Sequence, residues 1–280
     1  MGHDPTPGGR SVAVITPPSF GDYLRHLRTV GSVATFPTSP EPSRRPKLSR
    51  TKVAADAGTS EGYLTKLEQG VADNPSSDLV DRLALALHAT DLEHQHLRDL
   101  AAPPPAPAHD PDQRTTITPE HREFVDNMHP HLSGYVDEAW NVLYANAEYT
   151  RIFRRILDHD NVLVWFFAER QSRRIMVEWE TEARLTVAWL RSHMARRRGN
   201  PLFTAVLQEL AYYPDFVQMW ERREILMGRH TPYMRLRDLD RGEELTLRAQ
   251  VFPTPDPQEA LQVYLGVRVA SSDCADDSSR

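Results

Sequence analysis

Residues 102–119, APPPAPAHDPDQRTTITP, divide this chain in two. Their six prolines each remove a backbone donor and fix φ, so no helix interior or central strand runs through the stretch. With no apolar periodicity beside them, the segment is expected to be a stiff, extended linker. At 280 residues the chain is about twice a usual domain, and the linker separates a unit at 19–101 from one at 120–270. The flanks 1–18 and 271–280 are expected to be disordered. A second Pro/Ser stretch, residues 35–46, interrupts the first unit but is too short to separate domains.

The first unit reads as all helix. Phe20, Leu24 and Leu27 give a helix near 19–29. Ser49 caps a helix carrying Val53, Ala54 and Ala57, and Ser60 caps another with Leu64 and Leu67 inward, ending at Gly70. Ser76 or Ser77 caps a fourth, with Leu79, Leu83, Ala86 and Leu87 as its stripe, and Asp91 caps the last, with Leu97 and Leu100.

Residues 49–70 carry the functional signal. Two helices crossing steeply need a small residue where they touch, which Ala54 supplies, and the turn between them needs tolerance of positive φ, which Gly58 supplies. Packing the apolar set inward leaves Ser60, Glu61, Gly62, Thr65 and Lys66 on the outer face, with Thr59 and Tyr63 beside them. That face is short and polar, as a helix reading base edges in a major groove must be. The net charge of −6 argues against a uniformly basic protein, and residues 1–101 hold 11 Lys/Arg against 12 Asp/Glu. The positive charge is local: Arg44, Arg45, Lys47, Arg50 and Lys52 fall together with no acid among them, a candidate phosphate patch.

In the second unit, Leu245, Leu247, Ala249 and Val251 alternate with polar residues. So do Leu261, Val263, Leu265, Val267 and Val269 with Gln262, Tyr264, Gly266 and Arg268. Period two over this length predicts half-buried antiparallel strands. Asp240-Arg241-Gly242 joins the strand YMRLRDL to the first of them, and SGYVDEAWNVLYAN forms an earlier hairpin turning at Asp137-Glu138, after which Asn146 caps a helix. Between lie a long helix with Trp179, Ala183, Val187, Leu190 and Met194 on one face, and two shorter ones striped by Phe203, Val206, Leu207, Leu210 and by Phe216 and Trp220. The expected fold is an all-α helix-turn-helix unit plus an α+β, PAS-like unit with a five-stranded antiparallel sheet and helices on one face.

Two resemblances sharpen this. "AGTSEGYLTKLEQG", followed by "NPS", resembles the turn and recognition helix of the phage-repressor-like (XRE) regulators. That likeness implies binding of double-stranded DNA, at a palindromic operator if the protein is a homodimer, and a bracing role for Glu68 with Arg28 as its partner. "YVDEAWNVLYANAEYTRIF", "VEWETEARLTVAWLR", "NPLFTAVLQELAYYPDFVQMW" and "GEELTLRAQVFPTPDPQEALQVYLGVR" resemble the MmyB-type regulators of actinobacteria over roughly residues 19–270. This second likeness implies a small apolar, fatty-acid-like ligand in a PAS-like domain. Candidate lining residues are Trp140, Tyr144, Phe153, Trp165, Trp179, Trp220 and Tyr264. The alternative is a protein-interaction or dimerisation module with no small-molecule ligand.

Other chemistries find no support in the residues. His129 and His131 lack a third ligand at metal spacing, and Glu178 and Glu182 read as a solvated helix face with no nucleophile beside them. No Walker loop, dinucleotide fingerprint or nucleophile elbow occurs, so neither an enzyme nor a cofactor is expected. No apolar run is long enough to span a membrane, and the single cysteine, Cys274, cannot form an internal disulfide. The expected location is the cytoplasm.

Overall fold

A computed structural model of the chain describes residues 14–30, 46–72, 74–103, 116–228, 232–254 and 260–269. The N-terminal unit consists of α1 (Phe20–Thr29), α2 (Arg50–Asp56), α3 (Glu61–Glu68), α4 (Ser77–Ala86) and α5 (Asp91–Ala101). The hydroxyls of Ser19, Ser49, Ser60, Ser76 and Thr90 each accept from a backbone N–H in the first turn of the helix that follows. Such a cap stabilises a helix by about 1 kcal/mol. The last helix is capped by Thr90, not Asp91: Glu93 reaches back to the Thr90 N–H and completes a capping box, leaving Asp91 in the first turn, where the helix dipole favours a carboxylate. Leu24, Leu64, Leu67, Leu83, Leu97 and Leu100 fill the core. Gly21 lets α1 approach α3, since a Cβ there would lie 2.3 Å from the Leu67 carbonyl oxygen.

The C-terminal unit begins with α6 (Pro119–Asp126), so Pro119, expected to close the linker, is the first residue of a helix capped by Thr118. There follow β1 (Leu132–Val136), β2 (Val142–Ala145), α7 (Ala147–Ile152), α8 (Ile156–His159), α9 (Val162–Ala168), α10 (Ser172–Ile175), α11 (Trp179–Arg196), α12 (Pro201–Leu210) and α13 (Pro214–Glu221). Three strands close the chain: β3 (Tyr233–Asp238), β4 (Glu243–Pro253) and β5 (Gln262–Val269). The sheet is antiparallel throughout, in the order β2-β1-β5-β4-β3. β1, the first strand in sequence, therefore lies inside the sheet, between β2 and the central β5.

Register fixes which side chains face the helices. Leu247 lies opposite Arg268, Ala249 opposite Gly266 and Val251 opposite Tyr264, so these share the inner face with Met234, Leu236, Leu132 and Val136. Val263, Leu265, Val267 and Val269 lie opposite Phe252, Gln250, Arg248 and Thr246, on the other face. The aliphatic row of β5 thus points away from the helices, and its nominally polar row, Tyr264 and Gly266, points in. The alternation was right in period, but one apolar row per strand does not say which side of the sheet that row takes. α6 packs on this outer face over β1 and β2. Val125 of α6, Tyr135 and Leu261 form a small second core there, with Val263 against it.

The two units dock directly. α5 packs on α11, and Ala195 and Ile225 belong to the core of the N-terminal unit. Arg191 of α11 is 5 % exposed, donates to the Trp220 carbonyl and lies 3.9 Å over the Trp220 ring. Across the seam His96 of α5 is buried against the edge of Tyr23 at 4.6 Å between ring centroids. Burial, then the charges of Arg191 and Arg196, lower its pKa to about 3. Residues 14–18, expected to belong to a disordered flank, reach the seam, with Ile15 packed on the C-terminal core because its apolar side chain gains by leaving water. The rest of that flank, 1–13, and the tail 270–280 lie outside the described residues, as do Arg44 and Arg45.

Candidate DNA interface and ligand cavity

α2 and α3 are held at their crossing by side chains from three helices. Glu68, whose side chain is 0 % exposed, accepts from Arg28 Nη2 at 2.9 Å and from Arg50 Nε at 2.8 Å, while Arg25 donates to the Glu68 carbonyl. Burial alone would raise the Glu68 pKa; the hydrogen bonds and charges of Arg28 and Arg50 overcome it and hold the carboxyl below its ordinary value. Between the helices Gly58 takes φ 63° and the Thr59 N–H donates to the Ala54 carbonyl at 2.9 Å. The bracing role expected of Glu68 and Arg28 is thus met in the geometry, with Arg50 as a further partner.

The outer face of α3 presents Ser60, Glu61, Gly62 and Lys66 to solvent, with Thr59, Tyr63 and Thr65 half-buried. Two of these are partly engaged: Glu61 accepts from the Thr51 hydroxyl at 2.9 Å, and the Thr65 hydroxyl donates to the Glu61 carbonyl at 2.9 Å. Tyr63 packs on the core. A Cβ on Gly62 would meet nothing within 4 Å, so its absence leaves room for something outside the chain. In the expected phosphate patch, Lys47 is exposed and Lys52 makes an exposed pair with Asp56 at 2.7 Å, which a phosphate can readily replace. Arg50 does not join them. Its Nε is turned inward to Glu68, because a buried carboxylate is the stronger claimant on a guanidinium next to it.

In the second unit a cavity of about 410 Å³ opens between the inner sheet face and the helices. Trp140, Phe153, Trp165 and Tyr264 line it, as expected from the sequence, and Tyr149, Ile156, Val162, Phe166, Trp189 and Met234 complete an apolar wall. Thr186 and Tyr264 bring hydroxyl-bearing side chains to the lining. Trp140 adopts φ 63°, an unusual conformation for an aromatic residue. The turn holding it is tied down: Asp137 Oδ1 accepts from the Ala139 and Asn141 N–H groups at 2.8 and 2.9 Å, and Asn161 Nδ2 donates to the Ala139 carbonyl at 2.8 Å. Trp140 lies against Trp189 and stacks on His193, at centroid distances of 4.9 and 5.4 Å.

Three expected lining residues stand elsewhere. Tyr144 lies opposite Tyr135 on the outer face, where its hydroxyl donates to Asp126 at 2.9 Å; the strand's alternation sends it away from the cavity. Trp179 Nε1 donates to the Phe166 carbonyl and to Ser172 Oγ, and Arg173 covers its ring at 3.6 Å, so it braces α9 and α10. Trp220 is at the seam under Arg191. Trp189, one of the aromatic residues the sequence offers for an apolar cavity, takes a place in the lining instead. It lies on a second face of α11, three residues after Thr186, and α11 is buried nearly all round.

The sequence profile of the MmyB-like transcription regulator ligand binding domain matches residues 117–276, more than half of the chain, and a helix-turn-helix domain profile matches residues 19–97. The chain belongs to the MmyB-like transcription regulators. It is a DNA-binding transcription regulator with a ligand-binding domain, and not an enzyme. The cavity described above lies in the matched ligand-binding segment, and α2 and α3 lie in the matched helix-turn-helix segment. No curated protein matches the sequence. No helix among the described residues of this regulator is long and apolar enough to cross a membrane.

Proposed function

We propose that this MmyB-like regulator reads a palindromic operator as a homodimer through the outer face of α3, and that an apolar, fatty-acid-like molecule in the cavity changes its grip on DNA. Base edges meet Ser60, Glu61, Gly62, Thr65 and Lys66, while Lys47, Lys52, Arg44 and Arg45 meet phosphates. A cavity of this volume suits one small ligand, since such sites span about 300–1,000 Å³. The observation that carries the reading is the position of α11. Thr186 and Trp189 on this helix line the cavity, and Arg191 and Ala195, one turn further on, pack against the N-terminal unit. A ligand that shifts α11 disturbs α5 and α1 on its far side, and through the Gly21 contact α3 itself.

Selection of genomic fragments by the purified protein tests the DNA half. Wild type enriches one palindromic site, and Thr65→Ala with Lys66→Ala loses the preference while keeping weak, salt-sensitive binding. Equal fragment profiles for the two proteins refute the assignment of α3. Solvent extraction and mass spectrometry of denatured protein test the other half, with a stoichiometric aliphatic molecule as the expected result.

A further inference from the structure

The outer face of the sheet carries an apolar row along β5, of which Val263 at one end packs against the small core under α6. Val263, Leu265, Val267 and Val269 run the length of β5, the central strand, and each keeps a minor part of its surface exposed. On one side of this row stands α6, which covers β1 and β2 and bears Glu120, Glu123 and Asp126 against Arg122, with Phe124 52 % exposed. On the other side nothing among the described residues covers β4 and β3, and their outward residues include Arg235, Arg237 and Arg248 against Glu244. One flank therefore holds three carboxylates and one arginine, the other three arginines and one carboxylate.

We infer that this face docks a second copy of the chain. The inference rests on the homodimer reading above and names its surface. A two-fold axis along β5 lays the aliphatic row of one copy on that of the other. The same operation turns the acidic α6 flank of each copy toward the arginine flank of its partner, and brings the raised helix to the side of the partner's β4 and β3. An isologous contact requires such self-complementarity, and a flank pattern of opposite sign about the axis supplies it. The N-terminal unit packs on α11, across the cavity from the sheet, so the face stays open when α3 is on DNA.

Sedimentation equilibrium of the full-length protein, without DNA, tests this. Wild type is dimeric, and Leu265→Asp, which puts a carboxylate into the apolar row, weakens the dimer by at least about tenfold. Val267→Ser is a milder second variant, so that loss of dimer can be separated from loss of fold by thermal melting. Glu120→Lys with Glu123→Lys weakens the dimer, and adding Arg235→Glu with Arg248→Glu restores it. A wild-type dimer that none of these changes weakens overturns the surface and leaves the homodimer reading intact. A wild type that stays monomeric at all concentrations overturns both.

Discussion

Replacing Glu68 by Ala removes the buried carboxylate that joins α1, α2 and α3. Breaking a buried ion pair by deleting one partner costs about 3–5 kcal/mol when the other charge remains buried. Here the two arginines differ: the Arg28 side chain is 11 % exposed and stays in place, whereas Arg50 is 39 % exposed and can turn to water. The expected loss is therefore at the lower end, about 3 kcal/mol, of a domain stability of about 5–15 kcal/mol. All five tryptophans lie between residues 140 and 220, so their fluorescence reports the ligand-binding unit while far-ultraviolet circular dichroism reports both. In urea, Glu68→Ala should bring forward a helical transition that precedes the tryptophan transition. The pH dependence has a fixed sign. Because the folded pKa of Glu68 lies below its ordinary value of 4.5, its contribution is fully present above that value and fades as pH falls through the folded pKa. Glu68→Ala should thus flatten the acid side of the N-terminal unit's stability profile. A loss under about 1 kcal/mol at neutral pH, the scale of an exposed pair, would refute the view that Glu68 braces the helix-turn-helix.

Gly62→Leu should leave the fold intact, since a side chain there enters open space, yet lower operator affinity by at least about tenfold; unchanged affinity in an anisotropy titration removes Gly62 from the interface. Ala249→Leu adds bulk to the inner sheet face and should abolish binding of dodecanoic acid, followed by tryptophan fluorescence, while melting like wild type; undiminished binding places the ligand elsewhere. His96 is buried with its pKa lowered from 6.5 to about 3, so the unfolded chain takes up a proton first and the fold loses stability as pH falls through that window. His96→Leu should lessen that loss, and coincident acid profiles for the two proteins would contradict the assignment.

Much of the fold was legible because its signals are local. Serine caps, the Ala54 and Gly58 positions and the period-two strands specify each element from a few neighbouring residues. The cavity was half legible. Phe153, Trp165, Trp140 and Tyr264 line the cavity, but Tyr144, Trp179 and Trp220 are equally large and face elsewhere. Size is a property of one residue; orientation depends on register and on which helix face meets the sheet. Tyr264 illustrates the point, since it sits in the polar row of β5 and still points to the cavity, because β5 pairs with β4 in the register that puts Val251 opposite it. The partner of Arg50 was hidden for a related reason. The neighbours of Arg50 in sequence are basic, but its partner is Glu68, 18 residues on. The seam between the units was invisible in the proline-rich linker, whose composition promises separation and says nothing of Arg191, His96 or Ile15.

The central claim is that filling the cavity changes the hold of α3 on DNA. The most direct measurement is the operator affinity of delipidated protein, titrated with dodecanoic acid, for wild type and for Ala249→Leu. The account predicts that the acid shifts the wild-type Kd by about fivefold or more, the scale of an allosteric coupling, and leaves the filled-cavity variant unmoved. A wild-type Kd that does not change while tryptophan fluorescence reports the acid bound would contradict it.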